Sequence, residues 1–248
     1  LPHSMPHIPL YVPDDVRDPD PKKAYINTIE HIDAEIGRLL RTLDETGLAQ
    51  NTLVIFTSDN GPWLPFKHHG GSAGPLRDGK GTTFEGGQRV PCVIRGPGIP
   101  AGTECHELTG TIDVLPTLAA LIGSPLPEAR KIDGMDVSGL WLGTATKSPR
   151  DEFVYYTSQG AVEGIRQGNW KLLVKKPAAP RPPQNSKPIT PQTAKEPELL
   201  LFDLKNDLGE QINLAAGQPK LANRMRARLE ELDAEITKNA RSPWMKTY

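Results

Sequence analysis

Along residues 22–47, "KKAYINTIEHIDAEIGRLLRTLDETG", the apolar positions Tyr25, Ile29, Ile32, Ile36, Leu39, Leu40 and Leu43 recur three or four residues apart between polar ones. The pattern predicts an amphipathic helix of about six or seven turns, stopped by Gly47, which suits a left-handed C-terminal cap. Then the period changes. "NTLVIFTSDNG" is a short β-branched run that ends in polar residues and glycine. It reads as a fully buried parallel strand over 53–57 that opens into a loop at its carboxyl end. "RVPCVIRGPG" supplies a second short strand, and "TIDVLPTLAALIG" a helix with Thr111 as N-cap, Pro116 in the first turn and Gly123 as C-cap. Helix and buried strand in succession predict an α/β core over 1–150.

From Glu152 the texture becomes alternating. "FVYYTS", "AVEGIRQGNWKLLV" and "ELLLFDL" predict a small antiparallel sheet. The face carrying Leu221, Met225, Leu229, Leu232 and Ile236 predicts a final helix that covers it. Between two strands lies "KKPAAPRPPQNSKPITPQTAKEP", whose prolines make a solvated loop the simplest reading. Residues 151–248 thus form a small α+β subdomain. No internal repeat is present.

Composition removes several classes of function. Lys and Arg total 29 against 30 Asp and Glu, so no net field draws the chain to nucleic acid, and any anion recognition must be local. No apolar run reaches the length of a membrane span. Two cysteines, Cys92 and Cys105, give neither a disulfide framework nor a zinc motif of the CxxC type.

Candidate chemistry concentrates in residues 58–89. Gly74, Gly79 and Lys80 in "GPLRDGKGTTFEGG" approach a nucleotide-binding P-loop, but Gly81 stands where the Ser or Thr that holds magnesium is needed, and no strand precedes the loop. Lys80 among glycines offers a compact cation for a tetrahedral oxyanion; standing alone it reads equally as a surface lysine. Asp59 and Asn60 pair a carboxylate with an amide oxygen, hard donors suited to Ca²⁺ or Mg²⁺, or form an ordinary turn. Their place at the carboxyl end of a strand favours ligand contact. His7 lies between two prolines in "PHIP", where an imidazole can serve as acid, base or anion donor.

The ordered set "PHIP", "FTSDNGP", "GPLRDGKGTTFEGGQRVP" and "DVLPTL", followed by "GIRQGNWKLLV" and "ELLLFDLKNDLGEQINLA", resembles the type I sulfatases of the alkaline phosphatase superfamily across essentially the whole chain. The resemblance implies part of the alkaline-phosphatase-like α/β sandwich with a mixed central sheet, plus a small C-terminal antiparallel sheet packed by a helix. It implies a sulfuric ester hydrolase, with a phosphodiester or phosphonate monoester hydrolase, or a non-catalytic binder of sulfated ligands, as alternatives. Asp59 and Asn60 match two ligands of the family's divalent cation, usually Ca²⁺ with Mg²⁺ as the alternative. Lys80 matches the sulfate-contacting lysine, and His7 the histidine on the leaving-group side. His69, with His68 and Trp63, falls in the loop after the metal pair and is a candidate for substrate contact. Glu85 and Arg89 are expected to brace the loop.

The family's C/S-x-P-x-R signature, source of the formylglycine nucleophile, does not occur here. The expectation is therefore a C-terminal sulfatase portion. Its partners would be a sulfated small molecule or carbohydrate and the N-terminal portion of the same protein, and family habit points to a periplasmic or secreted setting.

Overall fold

The computed structural model describes residues 3–129, 131–175 and 197–240. It divides into two units, Leu1–Arg150 and Asp151–Tyr248.

In the first unit, α1 (Ala24–Glu45) follows a turn in which the Asp20 carboxylate accepts from the Lys22 amide, and ends before Gly47 at φ 71°. Its apolar stripe is only partly covered: Thr28 is its buried residue, and Ile29 remains 40% exposed. Strand β1 (Val54–Thr57) pairs antiparallel with β2 (Cys92–Arg95), Ile55 opposite Ile94 and Phe56 opposite Val93. This corrects the reading of 53–57 as a buried parallel strand. An apolar run reports neither strand direction nor how many faces are covered, and here Phe56 and Val93 stay 43% and 63% exposed. An ion pair between Arg95 and Asp44 (2.6 Å) ties β2 to α1.

After the single turn α2 (Glu85–Gln88), helix α3 (Val114–Leu121) is preceded by a 3₁₀ turn over Thr111–Asp113. Thr111 does not cap it: Gly110 is the N-cap of the 3₁₀ turn, and the Asp113 carboxylate, at the turn's third position, reaches back to accept from the Gly110 amide (2.8 Å) and, across the chain, from the Met135 amide (2.8 Å). The same carboxylate, 1% exposed, receives Arg150, 7% exposed, through Nε (2.9 Å) and a terminal nitrogen. Gly123 closes the helix at φ 67° as the sequence predicts. Thr117 Oγ1 accepts from the Val137 amide (3.0 Å) just before α4 (Ser138–Trp141).

The second unit is a four-stranded antiparallel meander, β3 (Glu152–Tyr156), β4 (Val162–Gln167), β5 (Trp170–Lys175) and β6 (Glu198–Asp203), in sequential order. Gly168, at φ 56°, lies in the two-residue turn between β4 and β5. Ile165, Leu172 and Leu201 pack against Ala222, Met225 and Leu229 of α5 (Pro219–Asn239), which makes the core that the alternating strands and the helical stripe predicted. The proline-rich segment read as a loop lies mainly outside the described residues.

One ion pair of this unit is fully buried. Lys171 Nζ meets Glu210 Oε1 at 2.9 Å, both fully buried, with the ammonium 4.3 Å from the Tyr155 ring centroid. Removing one member leaves a buried charge uncompensated. Lys171→Met is expected to destabilise this unit by about 3–5 kcal/mol, and the double variant Lys171→Met/Glu210→Leu to recover part of that loss. Thermal unfolding of the full chain checks both.

Candidate active site

Two glycine contacts build the site. The Asp59–Asn60 turn leaves β1 and reaches Gly61, whose amide donates to the Gly87 carbonyl at 3.1 Å. Only glycine permits that approach: a Cβ on Gly61 would stand 1.8 Å from the Gly86 carbonyl oxygen. The next carbonyl, Pro62, accepts the Lys80 amide at 2.8 Å, and a Cβ on Gly79 would meet the same oxygen at 2.3 Å. The turn carrying Asp59 and Asn60 and the loop carrying Lys80 are thus bonded main chain to main chain. Thr83, Phe84, Glu85, Gly86 and Gly87 are buried beneath them. Glu85 is 2% exposed and faces Arg89 at 3.9 Å, and Arg77 lies over the Phe84 ring at 3.9 Å.

Gly61→Ala is therefore expected to push the two loops apart. The expected cost is about 1–3 kcal/mol of stability, as for overpacked interiors, and roughly tenfold or more in turnover, since small misplacements of binding groups are costly. Thermal melting together with steady-state kinetics checks this.

Lys80 reaches His7 across 73 positions of sequence, Nζ to Nε2 at 3.1 Å. The His7 Nδ1 lies 2.7 Å from the Ile8 carbonyl oxygen. A carbonyl only accepts, so Nδ1 carries the proton and Nε2 presents its lone pair to the Lys80 ammonium. Trp63 completes the group: its ring centroid lies 4.9 Å from Lys80 Nζ and 5.4 Å from the His7 ring, and Phe66 packs on it at 4.6 Å. Among the described residues no carboxylate pairs with Lys80.

The other sequence-selected residues fall as follows. Asp59 is exposed and Asn60 half-buried, and Ser58 Oγ donates to the Asn60 carbonyl (3.1 Å), which shapes the turn. Their side-chain oxygens suit a hard cation. Two donors are fewer than the six to eight that Ca²⁺ takes, and among the described residues no group of three or more His, Cys, Asp or Glu could hold a metal. His69 Nε2 lies 2.7 Å from the Pro21 carbonyl at the foot of α1, a contact that ties the loop to the turn before the helix. Cys92, exposed as a residue, has its thiol raised above the ordinary value by desolvation. That opposes formation of a thiolate nucleophile. Sequence reasoning placed Trp63 only as a pocket liner; its contact with both Lys80 and His7 has no local signal.

Residues 2–124 match the sulfatase family model, and residues 148–245 match the model described as the C-terminal region of aryl-sulfatase. The chain is 38% identical to arylsulfatase A of Homo sapiens over 219 residues, covering 85% of this chain and 43% of that protein. It is 37% identical to steryl-sulfatase of Mus musculus over 230 residues, covering 85% and 36%. The chain therefore spans less than half the length of these curated relatives.

Among solved structures, PsFucS1 sulfatase from Pseudoalteromonas sp. aligns with a TM-score of 0.75 at 27% identity, over 96% of this chain and 48% of that one. Ps i-CgsB, solved with k-i-k-neocarrahexaose, aligns at 0.73 and 26%, over 97% and 50%. The fold is accordingly the alkaline-phosphatase-like α/β fold of these proteins. With both matched regions in sequence order and the relatives agreeing, the chain belongs to the sulfatase family.

Proposed function

We propose that the chain supplies the anion-recognition side of a sulfuric ester hydrolase site, with Lys80 and His7 as the groups that contact the ester. The observation that carries this is the 3.1 Å contact between His7 Nε2 and the Lys80 ammonium, which among the described residues pairs with no carboxylate, on a loop held in place by glycine contacts.

Cleavage of a sulfate ester leaves charge on the non-bridging oxygens and on the departing oxygen. In the free site Lys80 donates to His7. When the sulfate group enters and a proton is taken up at Nε2, that bond is lost and both groups face the anion as donors. Lys80 then serves the non-bridging oxygens, while His7 passes its proton to the leaving oxygen. A divalent cation, Ca²⁺ with Mg²⁺ as the alternative, held through Asp59 and Asn60 would add positive charge beside the same oxygens. Asp59 and Asn60 are the residues that would hold it, and the main-chain bonds at Gly61 and Pro62 tie their turn to the Lys80 loop.

The nucleophile, formylglycine by family relationship, is assigned to an N-terminal portion of the same protein. That the C/S-x-P-x-R signature does not occur in these 248 residues supports this assignment, as does the exposed apolar surface of Phe56 and Val93 on the β1–β2 pair. The substrate class is a ring-bearing sulfate ester, a sulfated carbohydrate or small molecule. The relatives named arylsulfatase and steryl-sulfatase and the neighbour solved with k-i-k-neocarrahexaose support it.

The test compares 4-nitrophenyl sulfate, 4-nitrophenyl phosphate and bis(4-nitrophenyl) phosphate as substrates for the protein from its native source, with Ca²⁺ present. Preferential turnover of the sulfate is expected. Preference for the phosphodiester would replace the reading with that of a phosphodiesterase of the same superfamily. Tight binding of a sulfated sugar without turnover of any ester would make the protein a binder.

A further inference from the structure

The structure assigns Trp63 as the positioning residue of the anion site: its ring holds the Lys80 ammonium and the His7 imidazole together without neutralising the lysine. The inference rests on the sulfate-site reading above. A lysine on a flexible four-carbon stem ordinarily samples many rotamers, so an ammonium resting 3.1 Å from an imidazole needs a second hold. A carboxylate would provide one but would cancel the charge an oxyanion requires.

A π face attracts the ammonium and leaves its charge available, and tryptophan is the strongest of the aromatic side chains in this respect. Lys80 Nζ lies 4.9 Å from the Trp63 ring centroid. The same ring contacts His7 at 5.4 Å, tilted by 48°, and is backed by Phe66 at 4.6 Å. The main chain repeats the link, since the Trp63 amide is fixed on the Gly70 carbonyl (2.9 Å) while the preceding carbonyl, of Pro62, takes the Lys80 amide. One residue and its neighbour thus address both ends of the lysine.

The test measures binding of inorganic sulfate by calorimetry to the protein from its native source and to Trp63→Phe, Trp63→Leu and Lys80→Ala, each with its melting curve. Trp63→Leu keeps apolar bulk and removes the π face, so sulfate should bind roughly three- to tenfold more weakly. Trp63→Phe, which retains a π face, should recover most of that loss, and the KM for an aryl sulfate should follow binding more closely than kcat does. A leucine variant that binds sulfate as the parent does, or a phenylalanine variant as weak as the leucine one, would overturn the assignment.

A second observation needs no variant. The Lys80 ε-methylene protons should be displaced upfield by the indole ring current in the NMR spectrum, and an ordinary lysine position would equally overturn it. If Lys80→Ala binds sulfate normally, the sulfate-site reading itself fails. If Lys80→Ala loses sulfate while Trp63→Leu does not, only the role of Trp63 fails.

Discussion

Lys80→Ala is expected to lower kcat/KM for an aryl sulfate about 10²- to 10³-fold, the scale observed when one preorganised oxyanion donor is removed. Among the described residues no carboxylate pairs with Lys80, and its backbone is fixed by the Pro62 carbonyl at 2.8 Å. Neither neighbour of its ammonium, His7 or Trp63, replaces the lost charge: His7 can donate to one oxygen only, and Trp63 is neutral. Lys80→Arg should rescue little. The guanidinium is longer and planar and cannot occupy the point position over the indole that a compact ammonium takes. The melting temperature should change little in either variant, because Lys80 is only half-buried. Kinetics on the protein from its native source, with Ca²⁺ present, check this, and a loss of less than about fivefold would show that Lys80 does not face the sulfate.

The second large effect is structural. Asp113→Asn should destabilise the first unit by about 3–5 kcal/mol, the usual cost of breaking a buried ion pair from one side. The Asp113 carboxylate accepts from the Gly110 and Met135 amides and from the Arg150 guanidinium, while Arg150 also donates to the Asp133 carbonyl at 2.9 Å. An amide there can accept with one oxygen only, and it removes the Asp113 charge that the guanidinium, 7% exposed, now faces. Among the described residues of this unit the buried apolar side chains are few, Phe84, Pro116 and Val137, so the polar node carries a large share of the order around α3. Arg150→Met combined with Asp113→Leu should cost less than the sum of the single changes. Chemical unfolding of the full chain, with the double variant as the fourth corner of the cycle, checks this.

The second unit was legible in the sequence because its contacts are local or periodic. Glycine at the hairpin and a five-residue apolar stripe are enough to write β4, β5 and α5. The helix α1 was legible for the same reason, but not its half-exposed face, because periodicity reports which side is apolar and not what lies against it. Strand β1 was recognised as a strand and misjudged in direction and burial: its partner β2 is joined by the whole site loop, and no local feature tells an antiparallel return from a parallel crossover. Thr111 had the right chemistry for an N-cap; the turn instead starts at Gly110, whose amide is taken by the Asp113 carboxylate together with the Met135 amide and Arg150.

At the site, residue types pointed to His7, Asp59, Asn60 and Lys80, while the geometry depends on steric facts that a sequence does not display. Gly61 and Gly79 were visible as glycines, and only the close approach of Gly86 and Pro62 explains them. His69 looked like a pocket residue because it follows the metal pair, yet the Pro21 carbonyl, 48 positions away, takes its ring. Trp63 carried no motif.

The most direct measurement is a crystal structure of the protein from its native source with Ca²⁺ and sulfate. The account predicts a sulfate within about 2.7–3.2 Å of both Lys80 Nζ and His7 Nε2, with the Lys80–His7 bond opened, and a calcium about 2.3–2.6 Å from the side-chain oxygens of Asp59 and Asn60. A sulfate bound elsewhere, with Lys80 and His7 still bonded to each other and no cation at Asp59 and Asn60, would contradict it.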